Sequence, residues 1–399
     1  MTSVTAAGPD PAFESEGKAF LEEAANEFSD TPASPSARYR LFPDLTAEEE
    51  DEELRLARAW RARRFDAGFG WITGPVEYGG RGLSSAHAAT YHSLERAYRF
   101  PTQRMFDVGI AMVAPMLERY GSDEARATYL RSLHRGDVVG CQLFSEPSAG
   151  SDLSRIDTTA VPEGTGWRVR GQKIWSSNAH VSDVGILAVR TGPSEARHRN
   201  LTVFLLPMRS PGVTVRPIRQ MTGGASFNEV FIDDVQVPGH LRLGEVDGGW
   251  EVVIATLMHE RAAVGAPGAG GAGILSIQQL ILFLRSVGAL DQPAVRAELI
   301  RLHCSLTVAR WTRQRLGSGD RGVPPGPVMS IGKLALNANL AAITRILGLA
   351  LGPSLIAETD PDIYAWARFV LGVPGLRIAG GSDEIQRNIL AERVLGLPR

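Results

Sequence analysis

Lysine is almost missing from this chain. Of its 42 basic residues only Lys18, Lys173 and Lys333 are lysine, a bias that reads as GC-rich codon usage and carries no function by itself. Cysteine is as scarce. Cys141 and Cys304 stand alone, too few for a disulfide framework and in no metal-ligand spacing, so a reducing, cytoplasmic setting is expected. The eight histidines are scattered, and no metal site is expected from them. No run of about 18 apolar residues occurs. The longest apolar stretch, Ile343 to Ala357, is broken by Arg345 and Pro353, so no membrane span is expected. The first 40 residues carry Glu14, Glu16, Glu22, Glu23 and Glu27. A secretory signal needs a basic start and an apolar core, and a transit peptide avoids acids, so neither is expected. A net charge of −2 gives no pull toward nucleic acid or an anionic membrane. Also missing are a Gly-x-Ser-x-Gly elbow, a Walker loop and a Rossmann fingerprint between strand and helix, so any dinucleotide is held some other way.

What is there is an ordinary soluble composition, 399 residues with 44% hydrophobic and 22% charged, enough for more than one core. The pattern divides it into an extension over 1–40, partly flexible, a helical domain over 41–137, a β domain over 138–243 and a second helical domain over 244–399. In the first helical zone Ala47 to Asp66, Ser84 to Tyr98 and Val108 to Tyr120 have helical period, and Ser122 before Asp123 and Glu124 reads as an N-cap. In the middle zone the period drops to two. Val138 to Phe144, Trp167 to Trp175, Val184 to Arg190, Leu201 to Leu206, Val213 to Arg219 and Glu229 to Val237 read as strands joined by short turns, which suggests an antiparallel barrel or sandwich. Beyond Gly248 helices are expected at Trp250 to Val264, Ile274 to Val287, Pro293 to Leu316, Ser330 to Leu351 and Ser382 to Leu395. Gly265 to Gly271 is a breaker and Gly317 to Pro327 a loop. The class is α+β, a β domain between helical domains.

Four features can carry chemistry. Phe144-Ser145-Glu146-Pro147 through Gly150-Ser151-Asp152 is a small-residue loop after a strand, able to offer N–H groups to a phosphate or simply to turn. Lys173-Ile174-Trp175-Ser176-Ser177-Asn178 ends a strand with an aromatic plane, suited to flanking a planar cofactor or to packing in a sheet. Glu260 lies within roughly 60° of Val253, Leu257 and Val264 on a helical wheel, so its carboxylate leaves the apolar stripe. That suits a general base of raised pKa, or a structural ion pair with Arg261 or His259. Gly380-Gly381-Ser382 opens a capped helix with Asp383 and Glu384 in its first turn, a place for a ligand or a plain helix start.

Taken in order, these segments resemble the acyl-CoA dehydrogenase family over roughly Leu54 to Arg399. Ser145-Glu146-Pro147 with Gly150-Ser151-Asp152, then Gly171 to Asn178, then Gly380 to Leu397 match its signatures, and Pro75 to Gly82 and Tyr120 to Gly136 match weaker patterns. The resemblance implies an N-terminal α-helical domain, a central antiparallel β-barrel domain and a C-terminal four-helix-bundle domain. It implies FAD and an acyl-CoA substrate, an electron-transfer flavoprotein as acceptor, and a homo-oligomer, dimer or tetramer. It assigns Ser151 to the FAD pyrophosphate and to substrate, and Ser145, Gln142, Phe144, Trp175 and Ser177 to the flavin ring. Gly150 and Ser382 also go to FAD, and Arg261 to substrate. Most members carry their base where this chain has Gly380. A minority, the isovaleryl- and long-chain-type enzymes, carry it on an earlier helix just before an arginine, which Glu260-Arg261 matches. Gly380 would then give its backbone N–H to the thioester oxygen. Two departures concern the adenosine end of FAD: the Arg-x-x-Phe-Gly that follows the base helix is missing, and Arg345, ahead of Gly348, replaces a glutamine. A FAD-poor subunit of a hetero-oligomer, an oxidase, or a desaturase of carrier-protein thioesters stay open beside the dehydrogenase.

Overall fold

The computed structural model describes residues 10–28, 45–265, 277–317, 325–357 and 360–398, the side chains at 197, 261–265, 316–317 and 325–326 excepted. The Gly265 to Gly271 breaker, most of the Gly317 to Pro327 loop, and the parts of the expected extension at 1–9 and 29–40 lie outside the described residues.

Five helices come first: α1 (Pro11–Glu27), α2 (Ala47–Asp66), α3 (Ser85–Glu95), α4 (Ala114–Tyr120) and α5 (Asp123–Arg135). α2 begins in a capping box, with the Thr46 hydroxyl accepting from the Glu49 N–H and the Glu49 carboxylate from the Thr46 N–H. Ser122 caps α5 in the same sense. Residues 11–27 of the expected extension form α1, which buries Phe13, Phe20 and Leu21 beside Trp60, Phe69 and Tyr91. The single helix expected from Val108 to Tyr120 divides in two. Pro115 has no N–H for the regular ladder, and a π-helical turn at Gly109–Val113 precedes α4.

The sheet holds β1 (Gly140–Leu143), β2 (Thr159–Glu163), β3 (Gly166–Ser177), β4 (Val184–Arg190), β5 (Leu201–Pro207), β6 (Val213–Ile218), β7 (Phe227–Pro238) and β8 (Arg242–Leu243). Their order is β6-β7-β3-β2-β4-β5-β8, with β1 beside β4. Among the described residues the sheet is mixed and open, where the strand pattern suggests an antiparallel barrel or sandwich and the resemblance implies a barrel. β4 is the reason. It is buried along both faces, and it takes two parallel partners, β1 and one end of β2. A strand covered on both sides can do so when the chain crosses over to reach it. β2 and β8 escape the period-two reading because one contains Pro162 and the other is two residues long.

The C-terminal helices are α6 (Gly249–Gly265), α7 (Ile277–Ser286), α8 (Pro293–Gly317), α9 (Pro325–Leu351), α10 (Pro361–Ile378) and α11 (Asp383–Ile389), which runs into a π-helical turn at Leu390–Val394. α10 is not expected from the sequence, because Gly372, Pro374 and Gly375 look like breakers. It forms because Asp360 caps it, accepting from the Asp362 and Ile363 N–H groups, and because Trp366, Phe369 and Val373 are buried against α7 and α9. Packing overrides propensity there. α9 has the length and mean hydropathy, 1.6, of a membrane span, yet it packs against α6, α8, α10 and α11. α6 starts hard against the sheet: a Cβ added at Gly249 would stand 2.7 Å from the Leu201 carbonyl oxygen, so only glycine lets the helix approach β5 this closely.

One buried ion pair ties the loop that follows β1 to β3. Lys173 and Glu146 are 2.6 Å apart with almost no exposed side-chain surface. Burial pushes the Glu146 carboxyl up, but the Lys173 ammonium and the Asp157 and Thr158 N–H groups outweigh it and hold it below the usual range. Lys173 also donates to the Phe144 carbonyl at 3.2 Å. Breaking such a pair from one side costs about 3–5 kcal/mol, because a charge is left buried and alone. Glu146→Ala should therefore lose stability of that order in urea unfolding. Lys173→Met should lose less, since Glu146 keeps two backbone donors. The reverse ranking would show that the pair is not what holds the loop to the strand.

Candidate active site

Two loops that are far apart in sequence are zipped together at one end of the sheet. The Ile174 N–H donates to the Ser145 carbonyl at 2.9 Å, next to the Lys173–Glu146 pair. A register shift between Lys173 and Ser176 in the β3–β7 ladder follows at once. It leaves Trp175 at φ 62° and Asn178 at φ 56°, both in the left-handed region that side chains avoid. Trp175 is 56% exposed, an aromatic face turned out of the sheet with only the edge of Phe227 beside it. Behind it the Asn228 amide donates to the Ser176 carbonyl at 3.0 Å and meets His180 at 3.1 Å, and His180 meets Glu50 of α2 at 2.8 Å. The strained segment is thus braced from the N-terminal helices. Strain kept in this way is a mark of a functional site.

The same end of the sheet has groups without partners among the described residues. The Gln142 amide nitrogen on β1 is buried with no hydrogen-bond partner, and so is the Ser176 hydroxyl. Ser145 and Ser177 are half-buried, and Ser151 is exposed. A Cβ at Gly150 would meet nothing within 4 Å. Phe144, assigned to the flavin ring by the resemblance, has its side chain in the main core, so only its backbone faces the loop.

The helical side supplies a carboxylate. Glu260 is half-buried near the end of α6. Val253 on the same stripe is fully buried, and Leu257, one turn before Glu260, lines a cavity of about 180 Å³. One wall of that cavity is Trp250, Ile254, Leu257 and Met258 of α6. Ile385 and Ile389 of α11 face them, with Ser151 and Arg393 as its polar members. The Arg261 side chain, assigned to substrate, lies outside the described residues.

Glu260 meets the turn between α10 and α11. A Cβ built on Gly380 would stand 3.4 Å from Glu260 Oε1 and 3.9 Å from Cδ. The carboxylate therefore lies where a side chain at position 380 would extend. Gly380 has φ +64° and Gly381 φ +98°. Gln386, fully buried, holds that pair of left-handed residues, donating to the Gly380 carbonyl at 2.8 Å and to Gly381 at 3.3 Å. From α9, Lys333 donates to the Leu376 carbonyl at 2.6 Å. Asn337 donates to the Arg377 carbonyl at 3.2 Å and to Asp383 at 2.6 Å. Asp383 also pairs with Arg377 at 2.7 Å, and Arg377 and Asn337 hold its carboxyl below the usual range. The Ser382 hydroxyl caps α11.

Glu260, Gly380 and Ser382 are thus brought together, and so are Gln142, Ser145, Trp175 and Ser177. Arg345 and Gly348 are not. Both are exposed on α9, and Arg345 pairs with Glu298 of α8 at 3.0 Å. Arg345 lies twelve residues, about 18 Å, along the helix from Lys333. Sequence reading misses Lys333, Asn337 and Gln386. Lys333 does leave a signal, a rare lysine inside an apolar helix.

Three family models match the chain in succession: acyl-CoA dehydrogenase, N-terminal domain, over residues 21–137; middle domain, over 141–235; and C-terminal domain, over 247–395. Acyl-CoA dehydrogenase IpdE1 of Mycobacterium tuberculosis is 36% identical over 351 residues, 88% of this chain and 90% of that protein. Among solved structures, the Tcur3481-Tcur3483 steroid ACAD matches with a TM-score of 0.73 at 26% identity, over 98% of this chain and 99% of that one. A chain of the ChsE4-ChsE5 complex from Mycobacterium tuberculosis matches with a TM-score of 0.70 at 26% identity, each chain covered completely.

The demand for glycine at 380 can be measured. Gly380→Ala puts a Cβ at a left-handed residue and against a carboxylate, and should cost about 1–2 kcal/mol in urea unfolding. Gly348→Ala, in the last turn of α9 with nothing within 4 Å, should instead cost nothing and gain up to about 0.5 kcal/mol. An alanine at 380 as stable as glycine would mean that the turn does not hold its left-handed backbone against Glu260.

Proposed function

The chain belongs to the acyl-CoA dehydrogenase family, and from that premise we propose that Glu260 is the base with which this flavoprotein desaturates an acyl-CoA between its α and β carbons. The observation that carries the reading is the position of the Glu260 carboxylate against Gly380. Most relatives in the resemblance bear a base at the Gly380 position. Here a carboxylate arrives at the same place from α6, and proton transfer depends on where the carboxylate stands and not on which element delivers it.

FAD fits the sheet side of the site. The orphaned Gln142 amide, the outward Trp175 face and the open space at Gly150 are what a planar, polar-edged cofactor with a pyrophosphate needs. Gln142, Ser145, Gly150, Ser151, Trp175, Ser177, Ser382 and the Phe144 backbone would hold it. Bound there, FAD supplies the hydride acceptor, flavin N5. The chain's own residues do the rest. Ionised Glu260 takes the α-proton. The Gly380 N–H, aimed by the Gln386 and Lys333 contacts on its turn, donates to the thioester oxygen as negative charge grows on it. A preorganised donor of this kind lowers the barrier by about 3–4 kcal/mol. The apolar groove along α6 that ends one turn before Glu260 gives the thioester's arm a wall and excludes water from the carboxylate. Arg261 stays a substrate contact on the resemblance alone.

The acceptor in this reading is an electron-transfer flavoprotein, the assembly a homo-oligomer, and the compartment the cytoplasm. Free thiols at Cys141 and Cys304 support the last. The engagement of Arg345 by Glu298 favours one second reading, in which the adenosine end of FAD is completed by a different partner chain and this chain alone holds FAD poorly.

Purified protein assayed against a panel of acyl-CoAs with a dye acceptor decides between them. Yellow protein bleached by an acyl-CoA is expected, and colourless protein gives the second reading. Glu260→Gln should lower turnover by about 10²–10⁴-fold with flavin still bound. In the wild type kcat/KM should fall as pH falls and Glu260 takes up a proton. Full turnover by Glu260→Gln would place the base elsewhere.

A further inference from the structure

Among the described residues, Lys333 is the one charged side chain that α9 buries at the catalytic end of the helical domain, at 7% exposure. Its Nζ donates to the carbonyl of Leu376 at 2.6 Å, four residues before Gly380. Asn337, one helical turn along α9, holds the next carbonyl, that of Arg377. Two orphan carbonyls at the C-terminus of α10 are therefore met by α9. A cation at a helix C-terminus also complements the helix dipole. On the far side of the same turn stands the Glu260 carboxylate.

We propose that Lys333 is a positioning residue for the proton-transfer step: its ammonium fixes the last turn of α10, and with it the Gly380 N–H, while placing a positive charge opposite Glu260. The inference rests on Glu260 being the base. Burial pushes the Lys333 ammonium below its ordinary value, and the carboxylates of Glu260 and Asp383 pull it back. The interaction is reciprocal, so Lys333 favours the ionised form of Glu260.

Among the described residues other charges stand around α6, Arg393 of the π-helical turn Leu390–Val394 among them, lining the cavity beside Leu257 and Met258. The π-helical turn Gly109–Val113 and β5, both packed on α6, carry no charged side chains. α4 brings Arg119, which reaches Glu251 at 3.6 Å and acts on His259 of α6 itself. The 3-10 segment Ser194–Arg199 sits by Trp250 at the other end of α6, through His198. Arg377 and Asp383 of the α10–α11 turn are engaged with each other, and Arg387 of α11 acts on Asp383.

Three variants separate pin from charge. Lys333→Gln keeps a donor for Leu376 and loses the charge. Lys333→Met loses both, and Lys333→Arg keeps the charge. Two readouts apply: the acid limb of the kcat/KM profile, and the carboxyl titration of Glu260 followed by infrared difference against Glu260→Gln, which needs no turnover. Removing a neighbouring cation disfavours a carboxylate, so both should move to higher pH by about one unit in Lys333→Gln and Lys333→Met. Lys333→Arg should stay near the wild type. The double variant Lys333→Gln/Glu260→Gln should be no slower than Glu260→Gln alone. If Lys333→Met does not fold, Lys333→Gln carries the same expectation. An unmoved acid limb in a folded, flavin-bearing neutral variant, or losses that multiply in the double variant, would overturn the proposal. Wild-type turnover by Glu260→Gln would sink the base assignment itself, and the single variant shows that separately.

Discussion

One carboxylate stands where one side chain is missing, and the arrangement of the helical half of the site follows from that. A Cβ at 380 would already touch Glu260 at 3.4 Å, and a longer side chain pointing the same way would run into it. A residue with a Cβ would also resist φ +64°. The two constraints point the same way: glycine is demanded by the neighbour and by the backbone together. With glycine there, the α10–α11 turn and a carboxylate from α6 meet at one place although they come from different helices. The position of α6 is then decisive. It is set at its other end, where Gly249 lets the first turn press onto β5.

Charge buried around the site is carried by lysine, in a chain that otherwise uses arginine. Lys173 is fully buried and Lys333 nearly so, while Lys18 is a surface residue paired loosely with Glu14. A guanidinium is a broad planar fork that needs several acceptors in its plane. An ammonium is a compact charge on a thin stem. Both interior sites ask for the second kind: Lys173 serves one carbonyl and one carboxylate oxygen, and Lys333 reaches a single carbonyl at a helix end. Rarity of lysine is therefore a clue to place. Two of the three positions where it is kept are positions that suit a compact charge better than a fork.

Much of the architecture is legible in the chain. The reading reaches the last residue of α2, and of β4, because a capped amphipathic helix and a buried apolar strand have strong local signals. Two of the errors are of one kind. α10 escapes because its stability lies in Trp366, Phe369 and Val373 packing on other helices, which no local pattern shows. Parallel pairing at β4 escapes because register across a sheet is not written in any one strand. In the site, Glu260 can be found by its place on an apolar stripe. Gln386 and Asn337 cannot. An amide in a helix has no periodic signature, and its value depends on which carbonyl another element brings to it.

The two sides of the cleft are held by different means, and the difference bears on how the site works. The sheet side is braced by hydrogen bonds that run to Glu50 of α2 and by a buried ion pair, so its strained residues Trp175 and Asn178 keep one conformation. The helical side is held by α9, a single rod of 27 residues. One end of α9 pins the Gly380 turn through Lys333 and Asn337. Farther along, Arg345 is engaged by the half-buried Glu298 of α8. A rod transmits displacement along its length with little loss. The geometry of the Gly380 turn is thereby tied to how α8 and α9 are seated against each other, and the loops at the end of the sheet are left free of that demand.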